Sequence, residues 1–171
     1  MVGPSGSGKS TLGKRVAGSF GIDYVELDAL YWERDWHEAS PETFRARAEL
    51  ATRAPAWVVD GNYRAVREIV WPRAEAVLWL DYSFPLVLRR LTTRIVRRAL
   101  RREELWNGNR ETFWWHLKLW SRESLFNWLL KTYWEYKRLY PILLAEPANA
   151  HLALIRHTSP RETEAWLERI T

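Results

Sequence analysis

The residues best suited to chemistry lie at the start of the chain. Gly3 to Ser10 fits the pattern G-x-x-x-x-G-K-[ST] at every fixed position. Glycines in this pattern let the backbone wrap closely around phosphates, with its N–H groups and the positive end of the next helix pointing inward. The pattern predicts that Lys9 reaches the β- and γ-phosphates and that the Ser10 hydroxyl binds Mg²⁺. We therefore predict a site for ATP and Mg²⁺ in this phosphate loop, with contacts from Gly3, Ser5, Gly6, Ser7, Gly8, Lys9, Ser10 and Thr11.

Three acids follow apolar runs and qualify as partners of the phosphate loop: Asp28, Asp60 and Asp81. Phosphoryl transfer needs a carboxylate near the metal, usually at the end of a strand beside the loop. We predict that Asp60 serves Mg²⁺ together with Ser10, directly or through water, although any of the three could do so. Asp81 precedes a helix and is expected to cap it. Asp28 is expected to orient or deprotonate an acceptor hydroxyl, with a solvated acid at a strand end as the alternative.

An arginine row follows Asp81 on a predicted helix. Arg90, Arg94 and Arg98 recur at steps of four residues and therefore share one face. Guanidinium groups on a lid can stabilise the charge that spreads over a transferring phosphoryl group, and Arg94 and Arg98 are the strongest candidates for this catalytic role. A solvated basic face is the alternative.

A nucleic-acid surface is a second alternative for the arginine row. The rings that could stack on bases are those of Trp114, Trp115, Trp120, Trp128 and Trp134. Leucines interleave with these rings at helical spacing, so we expect most of the rings in the core. Nucleic acid is therefore a possible partner but not the favoured one.

Aromatic residues also follow Asp28, where a second substrate is expected. Tyr31 and Trp32 could stack on the ring of an acceptor, and packing against the sheet is the alternative. The chain has no cysteine, which excludes disulfides and thiolate metal sites, so any metal must be held by oxygen. No apolar run is long enough for a membrane helix, so we expect no membrane partner and a cytoplasmic location.

The elements that must position these residues alternate between strand and helix, which predicts an α/β fold with a parallel sheet between helices. The predicted strands are residues 24–27, 56–59, 76–80 and 151–155. The predicted helices are residues 10–18, 40–52, 64–70, 85–104, 111–140 and a terminal helix capped by Ser159. Pro141 is expected to start or kink the turn after residue 140. Because only Met1 and Val2 precede the phosphate loop, the strand expected there looks truncated.

These motifs resemble the adenylate kinase and shikimate kinase class of small P-loop kinases, and within it the adenylate kinase-like topology modulation proteins. The residues that carry the resemblance are Leu27-Asp28-Ala29-Leu30-Tyr31-Trp32, Val59-Asp60-Gly61-Asn62-Tyr63, Trp79-Leu80-Asp81-Tyr82 and Gly108-Asn109-Arg110-Glu111. The resemblance implies a three-layer P-loop NTPase domain over residues 1–171, with strand order 2-3-1-4-5. It also implies an acceptor-binding region near residues 28–55 and a lid near residues 85–140.

The resemblance assigns two further roles through the D-G-F-P-R stretch of adenylate kinases. Asp60 would serve the metal and Arg64 would contact a substrate phosphate, while Asn62 and Tyr63 stand where that stretch has phenylalanine and proline. We expect an enzyme that uses ATP and Mg²⁺ to phosphorylate a small molecule, with a nucleoside or nucleotide as the first choice. The alternatives are an ATP-binding protein that acts with DNA, and an inactive remnant.

Overall fold

The computed structural model describes residues 1–101, 104–109 and 125–171. Four strands are named in these ranges: β1 (Asp23–Glu26), β2 (Trp57–Asp60), β3 (Ala76–Leu80) and β4 (Ala153–His157). The α-helices described are α1 (Lys9–Phe20), α2 (Leu27–Tyr31), α3 (Pro41–Ala51), α4 (Arg67–Val70), α5 (Phe84–Arg101), α6 (Leu125–Leu144) and α7 (Pro160–Ile170). Much of the predicted 111–140 stretch, with Trp114, Trp115 and Trp120, lies outside the described residues. Among the described helices, none has the length and apolarity that a membrane span requires.

The strands are parallel and follow the predicted order. β1 pairs with β2, and β3 pairs with β4. Met1 and Val2 lie between these pairs: the Met1 nitrogen donates to Val59 O at 2.5 Å, and Val2 N donates to Leu78 O at 2.9 Å. The sheet therefore runs β1, β2, the two residues before the phosphate loop, β3, β4. This is the order 2-3-1-4-5, with the carboxyl ends of the strands at one edge.

Neighbouring strand residues bury their side chains on opposite faces, as a sheet covered on both sides requires. On β3, Val77 and Trp79 belong to a core shared with α3 and α4, whereas Leu78 and Leu80 belong to a core shared with α1, α5 and α7. Helix α6 contributes to both cores. The predicted three-layer α/β/α arrangement is therefore confirmed.

Serine caps fix the start of two helices where the sequence predicted them. The Ser40 Oγ accepts from Thr43 N at 3.2 Å, and the Ser159 Oγ accepts from Glu162 N at 3.3 Å. Other element boundaries differ from the prediction. Helix α6 continues through Pro141 to Leu144. The last strand begins and ends two residues later than the predicted 151–155, because β4 pairs with β3 only from Ala153 onward.

The two described tryptophans of the proposed stacking group are not in the core. Trp128 is 47% exposed and Trp134 is 57% exposed, although the interleaving leucines had predicted burial. Leu129 between them is fully buried while Leu130 is exposed, so α6 turns a single narrow stripe inward. The expectation of core packing was wrong for these two rings.

Asp81 pairs with two cations and anchors α6 and β4 at the end of β3. Its buried carboxylate accepts from Lys137 Nζ at 3.0 Å and from both Nε and Nη2 of Arg156. Both carboxylate oxygens are thus engaged by side chains from other elements, which replaces the predicted helix-capping role. The contact places Asp81 in the scaffold, while the chemical roles of Asp28 and Asp60 stay predictions.

Replacing Asp81 with alanine should lower the free energy of unfolding by about 1.5–3 kcal/mol, because two charge-assisted hydrogen-bonding partners lose their acceptor. Urea denaturation followed by tryptophan fluorescence measures this change. Glu164→Ala, which removes the exposed ion pair with Arg15, is the matched control and should change stability little. An Asp81 variant as stable as the control would contradict the anchoring role.

Candidate active site

The phosphate loop turns sharply at two glycines. Gly6 and Gly8 have φ values of 87° and 99°, in the left-handed region that favours glycine. A Cβ atom at Gly6 would lie 2.9 Å from Val87 O, so helix α5 also approaches too closely for a side chain. Helix α1 begins at Lys9, directly after this turn. The loop therefore has the backbone shape and the following helix that the sequence motif predicts for a phosphate site.

Arg90 supports the phosphate loop from outside, a contact that the sequence did not predict. Arg90 Nη1 donates to Ser7 O at 3.0 Å, and its guanidinium lies over the Tyr82 ring at 5.3 Å. Arg90 is on the predicted arginine row, but its contact with a carbonyl oxygen of the loop depends on where α5 packs, which spacing alone does not give.

Asn62 binds the first glycine of the loop through both ends of its amide. Gly3 N donates to Asn62 Oδ1 at 3.1 Å, and Asn62 Nδ2 donates to Gly3 O at 2.6 Å. Tyr140 on α6 donates to the same Oδ1 at 2.9 Å. Asn62 stands where the resembled kinases have phenylalanine, and its amide here continues the hydrogen-bonding of the sheet into the phosphate loop.

Asn62→Ala should weaken ATP binding about 10-fold, because two backbone groups of Gly3 lose their partner and the loop loses its fixed start. Binding of a fluorescent ATP analogue measures the loss. Asn149→Ala, which removes a similar amide contact with Leu143 O away from the loop, is the matched control and should bind the analogue normally. Equal affinity in both variants would exclude a role for Asn62 in shaping the loop.

The predicted metal pair is in contact. Ser10 Oγ donates to Asp60 Oδ2 at 2.6 Å, and Asp60 is only 4% exposed at the end of β2. The other carboxylate oxygen, Oδ1, is buried and has no hydrogen-bond partner among the described residues. A hydroxyl oxygen beside a buried unpaired carboxylate oxygen fits the oxygen ligands that Mg²⁺ takes.

The described residues contain no cluster of three or more acidic, histidine or cysteine side chains that could hold a metal alone. In nucleotide sites Mg²⁺ is usually held by one or two protein groups plus phosphates and water. Ser10 and Asp60 are the residues that would hold it here.

Lys9 lies among opposite charges. Burial lowers the pKa of its ammonium group, and the negative charges of Asp60 and Asp28 oppose that shift. Its Nζ donates to Pro4 O at 3.2 Å, across the phosphate loop. Partial burial leaves this cation less hydrated than an exposed lysine, which strengthens its attraction for an anionic ligand.

Asp28 lies in the first turn of α2, close enough to Lys9 for their charges to interact. Burial raises the pKa of this carboxyl, while a hydrogen bond from Tyr63 and the charge of Lys9 oppose the rise. The Tyr63 hydroxyl donates to Asp28 Oδ1 at 2.6 Å. A carboxylate that is partly removed from water and oriented by a phenol has the properties of a general base.

The predicted arginines differ in their relation to Lys9 and Asp28. The positive charge of Arg94 influences both Lys9 and Asp28. Arg98 lies one turn further along α5 with a buried Nε. Arg64 is exposed at the start of a short 3-10 turn. The catalytic roles of Arg94 and Arg98, and the substrate contact of Arg64, stay predictions.

Tyr31 and Trp32 border Asp28 and are engaged in an aromatic cluster. The Tyr31 ring packs against Phe44 and Tyr63 at centroid distances of 5.1 and 4.8 Å, and burial raises the pKa of its hydroxyl to about 12. Trp32 meets Trp36 edge to face at 5.6 Å. The packing alternative therefore describes Tyr31 well, and stacking on an acceptor stays a prediction for both rings.

A short strap, defined as residues 104–109, crosses to the loop that follows α2. Asn109 is buried; its Nδ2 donates to Glu33 O at 2.7 Å and its Oδ1 accepts from Trp36 N at 2.9 Å. Trp106 in the same strap hydrogen-bonds to Glu26, where burial raises the pKa and this bond opposes the rise. The strap thereby joins the predicted lid region to the predicted acceptor region.

Comparisons with known proteins agree with this geometry. Residues 1–81 match the family described as ATPase family associated with various cellular activities (AAA). A shikimate kinase of Synechococcus elongatus is 33% identical over 106 residues, which cover 53% of this chain and 55% of the relative, and a shikimate kinase of a second Synechococcus strain matches equally. The chain spans about half the length of these curated relatives. No solved structure matches it significantly. The fold is that of the P-loop nucleoside triphosphatases, with similarity to shikimate kinases over about half of the chain.

Proposed function

We propose that this chain transfers the γ-phosphoryl group of ATP to a hydroxyl group of a small molecule. The observation that carries the proposal is the pair of carboxylates that interact with Lys9. Asp60 is bound to Ser10, as a metal-binding acid should be, whereas Asp28 is bound to Tyr63 and has a raised pKa. Nucleotide binding alone requires only Asp60, so the presence of Asp28 favours a reaction with an acceptor.

The proposed reaction exchanges one phosphorus–oxygen bond for another. The acceptor oxygen attacks the γ-phosphorus, the bond to the β–γ bridging oxygen breaks, and ADP leaves. Asp28 takes the proton of the acceptor hydroxyl, and Lys9 stabilises the charge on the phosphates. When bound, Mg²⁺ would neutralise charge on the phosphate oxygens, and Ser10 and Asp60 would hold it. Arg94 and Arg98 complete the positive surroundings of the transferred group.

The acceptor is proposed by class. A nucleoside or nucleotide would use the rings beside Asp28 for stacking and Arg64 for a phosphate. A small hydroxylated acid is supported by the similarity to shikimate kinases, because arginines also bind carboxylates in pairs of hydrogen bonds. Both classes present the hydroxyl that Asp28 requires.

Incubation with γ-labelled ATP and Mg²⁺ against a panel of acceptors tests the proposal. The panel contains nucleosides, nucleoside monophosphates and small hydroxylated acids including shikimate, and the products are separated by chromatography. We expect label in one acceptor class with wild-type protein and none with Lys9→Ala. Hydrolysis of ATP without any labelled acceptor, and stimulated only by DNA, would support the DNA-associated alternative and overturn the proposed kinase.

A further inference from the structure

Tyr24 lies against the predicted metal pair, although the sequence pattern gave it no role. Its hydroxyl donates to Asp60 Oδ2 at 3.1 Å, the same oxygen that accepts from Ser10 at 2.6 Å. Tyr24 is on β1 and pairs with Val58, and Asp60 lies two residues further along β2. The hydroxyl therefore reaches Asp60 from the neighbouring strand, independently of the phosphate loop.

The Tyr24 ring occupies space that a glycine in the middle of α1 leaves open. A Cβ atom at Gly13 would lie 2.6 Å from Tyr24 Cε2, so any larger residue would displace the ring. Glycine inside a helix is less favourable than alanine, and the space needed by this ring is a physical reason for its presence. Lys14 Nζ lies 5.5 Å from the centre of the same ring.

The two hydroxyl groups act on one oxygen of Asp60 and leave the other unpaired. Oδ2 has two donors, whereas the buried Oδ1 has none among the described residues. Two donors on one oxygen restrict rotation of the carboxylate and keep Oδ1 in one direction. Because the Ser10 hydroxyl donates its hydrogen to Asp60 Oδ2, the lone pairs of Ser10 Oγ are left for a cation.

From this arrangement we propose that Tyr24 is a positioning residue for the magnesium site, seated by Gly13, which holds Asp60 so that Oδ1 and Ser10 Oγ face the ion together. Tyr24 does not touch the ion or the substrate; it acts through Asp60. Such outer partners of metal ligands typically contribute about 10–100-fold to metal affinity. The proposal rests on the proposed function only for the identity of the ion, and it can be tested by binding alone.

The test titrates Mg²⁺ into protein with a fluorescent ATP analogue and measures the Mg²⁺ concentration at half-maximal binding. Tyr24→Phe should raise that concentration about 10-fold, while binding of the analogue without Mg²⁺ stays as in the wild type. Gly13→Ala should have the same effect through displacement of the ring, with the hydroxyl still present. Tyr133→Phe removes another buried tyrosine hydroxyl, whose bond to Tyr82 O lies outside the metal pair, and should leave the Mg²⁺ dependence unchanged.

A double-mutant cycle separates positioning from a general structural effect. In an Asp60→Asn background, Tyr24→Phe should produce no further change in Mg²⁺ dependence, since the group it positions has gone. Wild-type Mg²⁺ dependence in both Tyr24→Phe and Gly13→Ala would overturn the proposal, as would an unchanged effect of Tyr24→Phe in the Asp60→Asn background. These binding results stand whether or not any acceptor is phosphorylated, so failure of the proposed function is distinguishable from failure of this inference.

Discussion

Lys9→Ala should reduce acceptor-dependent phosphoryl transfer by about 10²–10³-fold, which is the usual loss when one group that stabilises transition-state charge is removed. Lys9 is the cation at the start of α1; it is partly removed from water, and the negative charges of Asp60 and Asp28 act on it. The attraction between the Lys9 ammonium group and the phosphate oxygens grows as negative charge develops on those oxygens in the transition state. The loss should therefore be larger in kcat than in KM for ATP. Initial rates with labelled ATP over a range of ATP concentrations measure both.

The matched control for this variant is Lys131→Ala, which removes an exposed lysine from α6. We expect the control to retain wild-type transfer, and both variants to unfold at similar urea concentrations. A Lys9→Ala protein that transfers phosphoryl groups at more than about one tenth of the wild-type rate would contradict the role given to the phosphate loop, because a single hydrogen bond is worth more than that factor at such a site.

Asp28→Asn should reduce transfer by about 10²–10⁴-fold, the contribution of a general base, and should at the same time stabilise the protein at neutral pH. Burial raises the pKa of Asp28 in the folded protein above its value in the unfolded chain, about 3.9. The unfolded chain then releases this proton first, so stability decreases as pH rises through the interval between the two pKa values. At pH 7 the ionised carboxylate costs stability that asparagine does not, while Tyr63 can still donate to the amide oxygen.

Two measurements check the Asp28 prediction. Thermal unfolding at pH 7 should give a higher midpoint for Asp28→Asn than for the wild type, and Asp23→Asn, at the exposed start of β1, should give no such increase. The acid limb of kcat/KM should lie above the pH range of an exposed aspartate in the wild type. A variant that keeps full transfer would exclude Asp28 as the base, and one that loses transfer together with stability would indicate a structural role instead.

The parts of the site that the sequence predicted are local in the chain. The phosphate loop is a contiguous motif, and the ends of apolar runs identify Asp28 and Asp60 because parallel strands deliver their carboxyl ends to one edge. Ser40 and Ser159 begin their helices as predicted for the same reason: a cap and the groups it binds are at most a few residues apart. Strand order followed from the resemblance rather than from spacing.

The parts that the sequence did not predict depend on contacts between distant segments. Asn62 meets Gly3 only because the loop leaves the sheet beside β2, and Arg90 meets Ser7 only because α5 packs on the loop. The sequence around Asn109 predicts an ordinary turn, because its contact with Glu33 O depends on the strap lying near α2. For Tyr24 the sequence did contain a signal, the glycine inside α1, but its meaning requires the ring that lies opposite.

Asp81 shows the limit of reading roles from position. Like Asp60 it stands at the end of an apolar run, although the helix that follows predicted capping for Asp81 and favoured Asp60 for the metal. Partners separate them: Asp60 accepts from hydroxyl groups and keeps one oxygen unpaired among the described residues, whereas Asp81 is neutralised by Lys137 and Arg156. Those partners come from residues far along the chain, which no local pattern relates to the strand end.

A single-turnover reaction tests the central claim, transfer of the γ-phosphoryl group to an acceptor, most directly. Protein in excess over γ-labelled ATP is mixed with Mg²⁺ and the acceptor found in the panel, the reaction is quenched over time, and label is counted in the acceptor and in inorganic phosphate. We predict that label appears in the acceptor in step with ADP, and that Asp28→Asn slows this step. Label found only in inorganic phosphate, at a rate that the acceptor does not change, would contradict the claim.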